Sequence, residues 1–502
     1  MLVAALVTAL VFADSSYGAL RTWRPGTDSG IFLATAWHLL NGRWLYEDIF
    51  DNKPPVVFLL NAAALWLGDG DWRAMRIMEL ASMVASSFFL YRLILAFGVE
   101  RWIAIGTALL LVLVVFQPGL IQGGNTTEQY GLMLLLCGAW LAIRSLTATA
   151  NTLALAFAAG VTLGCAPLAK EPFALSVLPW VALAAVAMLL NRRYKGFAAL
   201  SAGVLTPLLL WMLTYAAAGR AEYLLDYFSF NFGYVSSASA ANSSDRWFLN
   251  LREAHWRLYS VSRSLEVLAV FGLSASVFAL IRFRRQERAK VWGAAAVLAA
   301  VLCDFAGTGI SQHRFGHYYV QAGGMFLLAS ALGLQAIRDA WMAGAVKRYW
   351  LIPVILTCIG FDSAFVQSVA SRAGTAQWAL PRTTMAAYVV EQFPNGASMW
   401  VTSNKWSYLY VESRALSPTR FAYVADLILV SSATGTGEDK LREVAAALHS
   451  KPPDFIVFVE LDNRRFLGAE MRAWIDRNYA DTGIKDTNAF GTARLLARRV
   501  PV

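Results

Sequence analysis

The sequence predicts a polytopic α-helical membrane protein. It should have about eleven transmembrane helices, two interfacial helices in the first outer loop, and a small C-terminal α/β domain outside the membrane. Three observations predict it. The 502 residues are 57% hydrophobic and only 15% charged, whereas soluble chains average roughly 25% charged. Apolar runs of spanning length recur up to residue 370, and beyond it polar residues return and no run is long enough to cross. That balance excludes a disordered chain, a collagenous fibre and an ordinary soluble enzyme. The net charge of +10 is read as the excess that membrane proteins keep in cytoplasmic loops, not as a nucleic-acid surface.

The elements follow in order. Met1–Leu20 is apolar but interrupted by Asp14 and lacks a basic leading region, so it reads as a retained first span, not a cleaved signal. Ser29–Asn41 places Phe32, Ala36, Leu39 and Leu40 on one helical face. Asp51-Asn52 ahead of Pro54-Pro55 is a helix start, with a capping side chain and proline in the first turn. Pro54–Gly68 is apolar for only about 14 residues, short of the ~20 that a span needs, so both helices are placed in the membrane surface. Further spans are expected at 73–97, 102–117, 127–146, 152–168, 172–190, 196–217, 263–283, 291–310, 318–337 and 349–370.

The basic connections Asn191–Lys195, Arg282–Lys290 and Arg338–Arg348 then fix the sides. With all three in the cytoplasm, Arg21–Trp72, Gln117–Thr126, Ala169–Pro172, Gly219–Arg263 and Ser311–Tyr318 lie outside, together with the C-terminal domain. Counting Pro54–Gly68 as a span would put Arg282–Lys290 outside, which supports the interfacial reading. The expected division is a transmembrane domain over 1–370 and an extracytoplasmic domain over 371–502. In the latter, Thr383–Phe393 and Asp439–Ser450 have helical periodicity, and Ser398–Thr402 and Phe455–Glu460 read as buried strands. The four cysteines are far apart inside apolar runs, so neither a disulfide framework nor a CxxC metal site is expected.

The chemistry-bearing residues gather on the outer side: Asp28, Asp48, Asp51 and Lys53 in the first loop, Glu128 at a span start, Lys170-Glu171 in a turn, and His313, Arg314, His317, Tyr318 and Tyr319 in the last loop. Charges at span ends often serve only as interfacial anchors, and Lys170-Glu171 reads equally as a local ion pair at a helix start. Several of them on one side, however, make a carboxylate-and-cation set, with a general base beside groups able to hold a phosphate. His313 and His317 lie four apart, but no third ligand completes a zinc site.

The order of these residues resembles a family. Asp28-Ser29-Gly30, Asn41-Gly42-Arg43-Trp44-Leu45-Tyr46 and Asp51-Asn52-Lys53-Pro54-Pro55 are similar to the first outer loop of C-superfamily (GT-C) membrane glycosyltransferases. The nearest types are the protein-mannosyltransferase-like and lipid A aminoarabinose-transferase-like enzymes, glycosyltransferase family 39-like. Thr127-Glu128 matches their second acidic position, His313-Arg314-Phe315-x-His317-Tyr318-Tyr319 matches a motif of bacterial members, and Tyr408 to Phe421 resembles their outer domain. Ser29 stands where many members have a second acidic residue.

The resemblance implies an integral membrane enzyme that moves a sugar from a polyprenyl-phosphate donor to a glycan, lipid or protein acceptor on the extracytoplasmic face of a bacterial inner membrane, with inversion. It implies Asp28 and Glu128 as the catalytic carboxylates, with Asp28 as base. Lys53, Asp51, Lys170, Glu171, His313, Arg314, His317 and Tyr318 would bind substrate, and Lys53, Arg314 and His317 would face the lipid phosphate. No cofactor beyond the donor is called for, and nothing in the sequence supports a divalent metal. A transporter or flippase of lipid-linked or polar solutes is the competing class. It calls for inverted repeats and broken helices near mid-membrane, and neither is evident. A third class is a non-catalytic assembly subunit, which would have no need of Asp28.

Overall fold

The computed structural model describes residues 27–115, 120, 124–241, 263–283, 288–309, 316–344, 382–423, 437–459, 467–488 and 491–499. The expected first and last spans, and with them His313 and Arg314, lie outside the described residues. The helices are α1 (Thr27–Leu40), α2 (Pro55–Leu67), α3 (Ala74–Ala96), α4 (Arg101–Leu110, continued by a π-helical turn Leu111–Val115), α5 (Thr127–Thr147), α6 (Thr152–Ala169), α7 (Phe173–Leu190), α8 (Tyr194–Ala217), α9 (Ala221–Ala241), α10 (Arg263–Phe283), α11 (Arg288–Gly309) and α12 (Tyr318–Met342). Beyond them come α13 (Thr384–Gln392), β1 (Met399–Val401), a short helix α14 (Leu409–Glu412), α15 (Gly437–Ser450), β2 (Phe455–Val459), α16 (Ala469–Asn478), β3 (Tyr479–Asn488) and β4 (Gly491–Arg498). The chain is a polytopic helical membrane protein with a small sheet. Among the described residues, seven helices are long and apolar enough to cross a membrane: α3, α5, α6, α7, α8, the Val291–Thr308 stretch of α11, and α12. The expected spans 102–117 and 263–283 are also helical, with shorter apolar stretches.

The described residues cluster into two compact units. The first, helical unit draws on Glu79–Thr214 and Ser243–Ala376. Its centre is α12, of whose apolar stretch 83% is buried, against 22% for α8. Leu205, Leu209, Leu210, Met212 and Leu213 of α8 are exposed. Such an apolar face is a liability in water and the ordinary state of a helix against lipid. On its other side α8 meets α6 at backbone contact, because Gly160 faces Gly203 and Gly164 faces the backbone of Val204. A Cβ at Gly160 or Gly164 would lie 2.3 Å from the carbonyl oxygens of Leu200 or Val204. This is small-residue packing of the kind that joins helices where water does not drive them together.

The second, mixed unit draws on Leu20–Met78, Tyr215–Asn242 and Gln377–Val502. Its sheet has the order β1-β2-β4-β3. β1 runs parallel to β2 (Met399 opposite Phe455), β4 antiparallel to β2 (Phe455 opposite Ala497), and β3 antiparallel to β4, with an irregularity between Asp481 and Lys485. The expected strands and the helices at 383–393 and 439–450 are found, each within two residues of its expected bounds.

Two expectations need correcting. Asp51 does not cap α2. The N-cap position is Pro54, with no side-chain cap, and Asp51 Oδ1 instead accepts from the Lys53 N–H at 2.8 Å. The stretch 219–263 is not simply a connection, since it contains the 21-residue helix α9. Its buried face is Leu224, Tyr227 and Phe230, spaced three apart. Glu222, Asp226 and Asn231 lower its hydropathy, and it is not among the described helices apolar enough to cross.

Within the mixed unit, the first loop is sewn to the segment 415–423. Trp37 Nε1 donates to the Ala415 carbonyl at 3.1 Å, and the Phe50 N–H donates to the Arg420 carbonyl at 2.7 Å. His38 is the buried stitch. Its Nδ1 lies 2.7 Å from the Ala34 carbonyl, and its Nε2 accepts from the Ser417 N–H at 2.8 Å. Ala34 O can only accept and Ser417 N–H can only donate, so the ring must be neutral with its proton on Nδ1. Burial pushes its pKa from 6.5 down to about 4. The sign follows directly. The unfolded chain takes up the proton below about pH 6.5 and the folded chain does not, so the stability this site contributes is complete above pH 6.5 and drains as pH falls towards 4. The loss should be on the order of 3 kcal/mol. Thermal melts of the purified protein between pH 7 and 4.5 should show it, and His38→Gln should flatten that dependence. An equally steep curve in the variant would clear His38 of the effect.

Candidate functional site

The mixed unit assembles the first-loop residues. Asp28 sits in the first turn of α1 with its side chain exposed. Asp51 is buried and spends its carboxylate on protein groups: Oδ1 on the Lys53 N–H and Oδ2 on the Tyr423 hydroxyl. Burial raises its pKa above the usual carboxylate range, and the Asp28 charge adds to the rise. Lys53, the Tyr423 hydroxyl and the Lys53 N–H pull the other way. The Lys53 carbonyl is held as well, accepting from the Tyr46 hydroxyl at 2.9 Å, while its Nζ donates to Asn52 Oδ1 at 3.1 Å. Asp51 and Tyr46 therefore pin the backbone of Lys53 from both sides. Its half-buried ammonium is delivered to a fixed place ahead of the proline-started α2. Lys53 and Asp28 act on the Asp51 carboxyl in opposite directions.

The helical unit assembles a second centre. Glu128 lies in the first turn of α5 and is fully buried. Lys170, at the C-terminal end of α6, is 6% exposed and forms an ion pair with Glu128. His317, just before α12, is 7% exposed, and its Nε2 is 3.8 Å from Glu128 Oε1. The Lys170 ammonium also lies 3.6 Å from the centre of the Tyr318 ring, a cation–π arrangement that desolvation strengthens. Thr127 adds a hydroxyl donor to Glu128 Oε2 at 3.0 Å. One carboxylate thus gathers an ammonium, an imidazole and a hydroxyl, and burial makes each interaction stronger than it would be in water. Lys170 reaches Glu128, 42 residues away in sequence, and Glu171 is exposed.

Sequence reasoning overlooked a polar cavity of about 400 Å³ in the mixed unit, lined by Glu47, Glu222, Tyr223, Asp226, Arg420 and Glu443. Arg420 bridges Asp226 (3.0 Å) and Glu443 (2.6 Å). Lys440 lies over the Phe50 and Phe230 rings, where burial and then the Arg420 charge push its pKa down to about 8. The Tyr408–Phe421 motif marked this stretch, but Asp226 lies on α9, where no motif pointed. Among the described residues, no group of three or more His, Cys, Asp or Glu side chains is placed to hold a metal ion.

The spanning helices, the first-loop helices between the expected spans, and the mixed C-terminal sheet define the class. This is a GT-C-type fold, as seen in membrane glycosyltransferases. Within it, the chain belongs to the family described as "Putative competence-induced protein Ccs4 N-terminal domain", whose model matches residues 25–338. Among solved structures it is similar to an oligosaccharyltransferase of Archaeoglobus fulgidus, crystallised with Zn and sulfate. That match has 12% identity and a TM-score of 0.52, covering 98% of this chain and 72% of that one. ArnT from Cupriavidus metallidurans bound to undecaprenyl phosphate aligns with 13% identity and a TM-score of 0.49 over 99% of this chain and 97% of the other. No curated protein sequence matches the chain.

Proposed function

We propose that this protein is a membrane glycosyltransferase that moves a sugar from a polyprenyl-phosphate donor to an acceptor hydroxyl on the extracytoplasmic side. The observation that supports this most is the Lys53 backbone held by Asp51 and the Tyr46 hydroxyl just ahead of α2, beside the Asp51 carboxyl on which the exposed Asp28 also acts. Asp28 takes the proton of the acceptor hydroxyl. The oxygen attacks the anomeric carbon, and the bond from that carbon to the phosphate oxygen breaks. The electron pair leaves with the lipid phosphate, where Lys53 meets the growing negative charge. A single displacement inverts the anomeric centre. Glu128, Lys170 and His317 serve as the second polar centre of the reaction, with Arg314 as a further phosphate ligand. The fold of the Archaeoglobus oligosaccharyltransferase is consistent with this class, and the phosphate chemistry rests on the residues of this chain.

The test is transfer by the purified protein in lipid from an undecaprenyl-phosphate sugar, with a donor titration on Lys53→Ala. Removing one charged hydrogen bond typically costs ~1.5–3 kcal/mol, so donor use should weaken roughly 10- to 150-fold. Unchanged donor use would make Lys53 an interface anchor.

The proposed setting is a bacterial inner membrane. Residues 1–370 would form the transmembrane catalytic domain, and 371–502 would lie outside. Basic connections at Asn191–Lys195 and Arg282–Lys290 support that orientation. A C-terminal tag should then be cleaved by protease added to intact spheroplasts. Protection there with cleavage after lysis would reverse the topology.

A further inference from the structure

We infer that Gln321 is a positioning residue for the Lys170–Glu128–His317 centre: its side-chain amide ties the helix start that carries His317 to the turn that carries Lys170. This rests on the proposed role of that centre in transfer. Gln321 is buried on α12, a helix apolar enough to cross the membrane. An amide in such a place is unfavourable unless its N–H groups find acceptors. Here Nε2 donates to Ser176 Oγ at 2.6 Å and reaches the Pro172 carbonyl at 3.4 Å. A carbonyl oxygen can only accept, so the nitrogen of the amide, not its oxygen, must face Pro172.

Both ends of the tie lie beside the centre. Gln321 stands four residues after His317, about one helical turn along α12. Pro172 stands two residues after Lys170, in a turn closed by the Phe173 N–H on the Lys170 carbonyl at 3.1 Å. The Pro172 carbonyl accepts from the Leu175 N–H of its own helix at 3.1 Å, and its second lone pair is the one the amide reaches. Lys170 and His317 approach the same oxygen, Glu128 Oε1. A slip of the turn against α12 would therefore alter both approaches at once.

Gly307 bears on the tie independently. It lies on α11, which packs against both α7 and α12. A Cβ there would lie 2.8 Å from Gln321 Nε2 and 3.3 Å from the Pro172 carbonyl. The bare glycine leaves the space through which the amide reaches Pro172. The nearer atom is the far end of a flexible side chain, so a methyl at 307 would be accommodated by moving the amide, with the helices kept in place.

The experiment compares Gln321→Met, Ser176→Ala, their double variant and Gly307→Ala with the wild type, as full-length proteins in lipid. Two things are measured: transfer from an undecaprenyl-phosphate sugar, and amide exchange over residues 170–176. Gln321→Met keeps the length of the side chain and removes its donors. It and Gly307→Ala should each lower kcat about 10- to 100-fold, as expected when reacting groups are misplaced by up to about an ångström, with KM for the donor changed less than about threefold. Exchange over 170–176 should quicken by about tenfold in both. The double variant should fall no more than about threefold below Gln321→Met, because the two changes remove one shared bond. Losses that multiply in the double variant overturn the inference. So does a kcat of the folded Gln321→Met and Gly307→Ala proteins within about threefold of wild type, the result of a merely structural role that lowers yield alone. An inactive wild type would instead sink the functional reading. Exchange then decides: quickening in Gln321→Met and Gly307→Ala upholds the tie, and unchanged exchange in both overturns it.

Discussion

Asp28→Asn is expected to lower turnover by about 10²–10⁴-fold, the usual contribution of a general base. The amide keeps the shape of the carboxylate and cannot take a proton. The change should be nearly silent in folding, because Asp28 is exposed in the first turn of α1 and the helix is anchored elsewhere, by His38 on Ser417 and Trp37 on Ala415. Surface substitutions of this kind usually stay within about 0.5 kcal/mol. Donor binding should also persist, since Lys53 is held through Asp51 and Tyr46, not through Asp28. The informative pattern is therefore a loss of kcat with an unchanged melting temperature and an unchanged donor affinity. Turnover close to wild type would strip Asp28 of the role and turn attention to Glu128. Loss of donor affinity together with kcat would make Asp28 a binding residue.

What the sequence made legible was local. Pro54-Pro55 after Asp51-Asn52 announced α2, and the apolar runs located the described spanning helices to within a few residues. Glu128 and His317 stood out because each sits where an apolar run begins. Their partner did not. Lys170 lies 42 residues from Glu128, and the adjacent Glu171 offered a pairing that needed no tertiary structure. Ser176 and Gln321 were passed over for the opposite reason. Each is one polar residue in an apolar run, which hydropathy averages away, and only the packing of α7 against α12 brings them together. The hairpin β3–β4 was missed because its outer strand, Tyr479–Asn488, is largely polar and half exposed. An edge strand of that kind carries charge to discourage further pairing, and the same charge hides it from an apolar pattern.

Lys170→Met should expose the cost of the Glu128 burial. Among the described residues, the lost ammonium leaves a carboxylate with no exposure and only His317, 3.8 Å away, and the Thr127 hydroxyl against its charge. Breaking one side of a buried pair typically costs about 3–5 kcal/mol, whereas replacing both sides with groups that fit can be close to neutral. The double variant Lys170→Met/Glu128→Gln should accordingly melt well above Lys170→Met alone. The difference between the double and the sum of the singles measures the coupling. Lys170→Met melting like wild type at pH 8 would mean that Glu128 does not depend on Lys170 for its charge. Activity tests the role proposed for the centre: if the same groups are offered to substrate, the double variant should regain stability and stay inactive. Recovery of transfer along with stability would make the pair a structural fixture and leave the chemistry to the first loop.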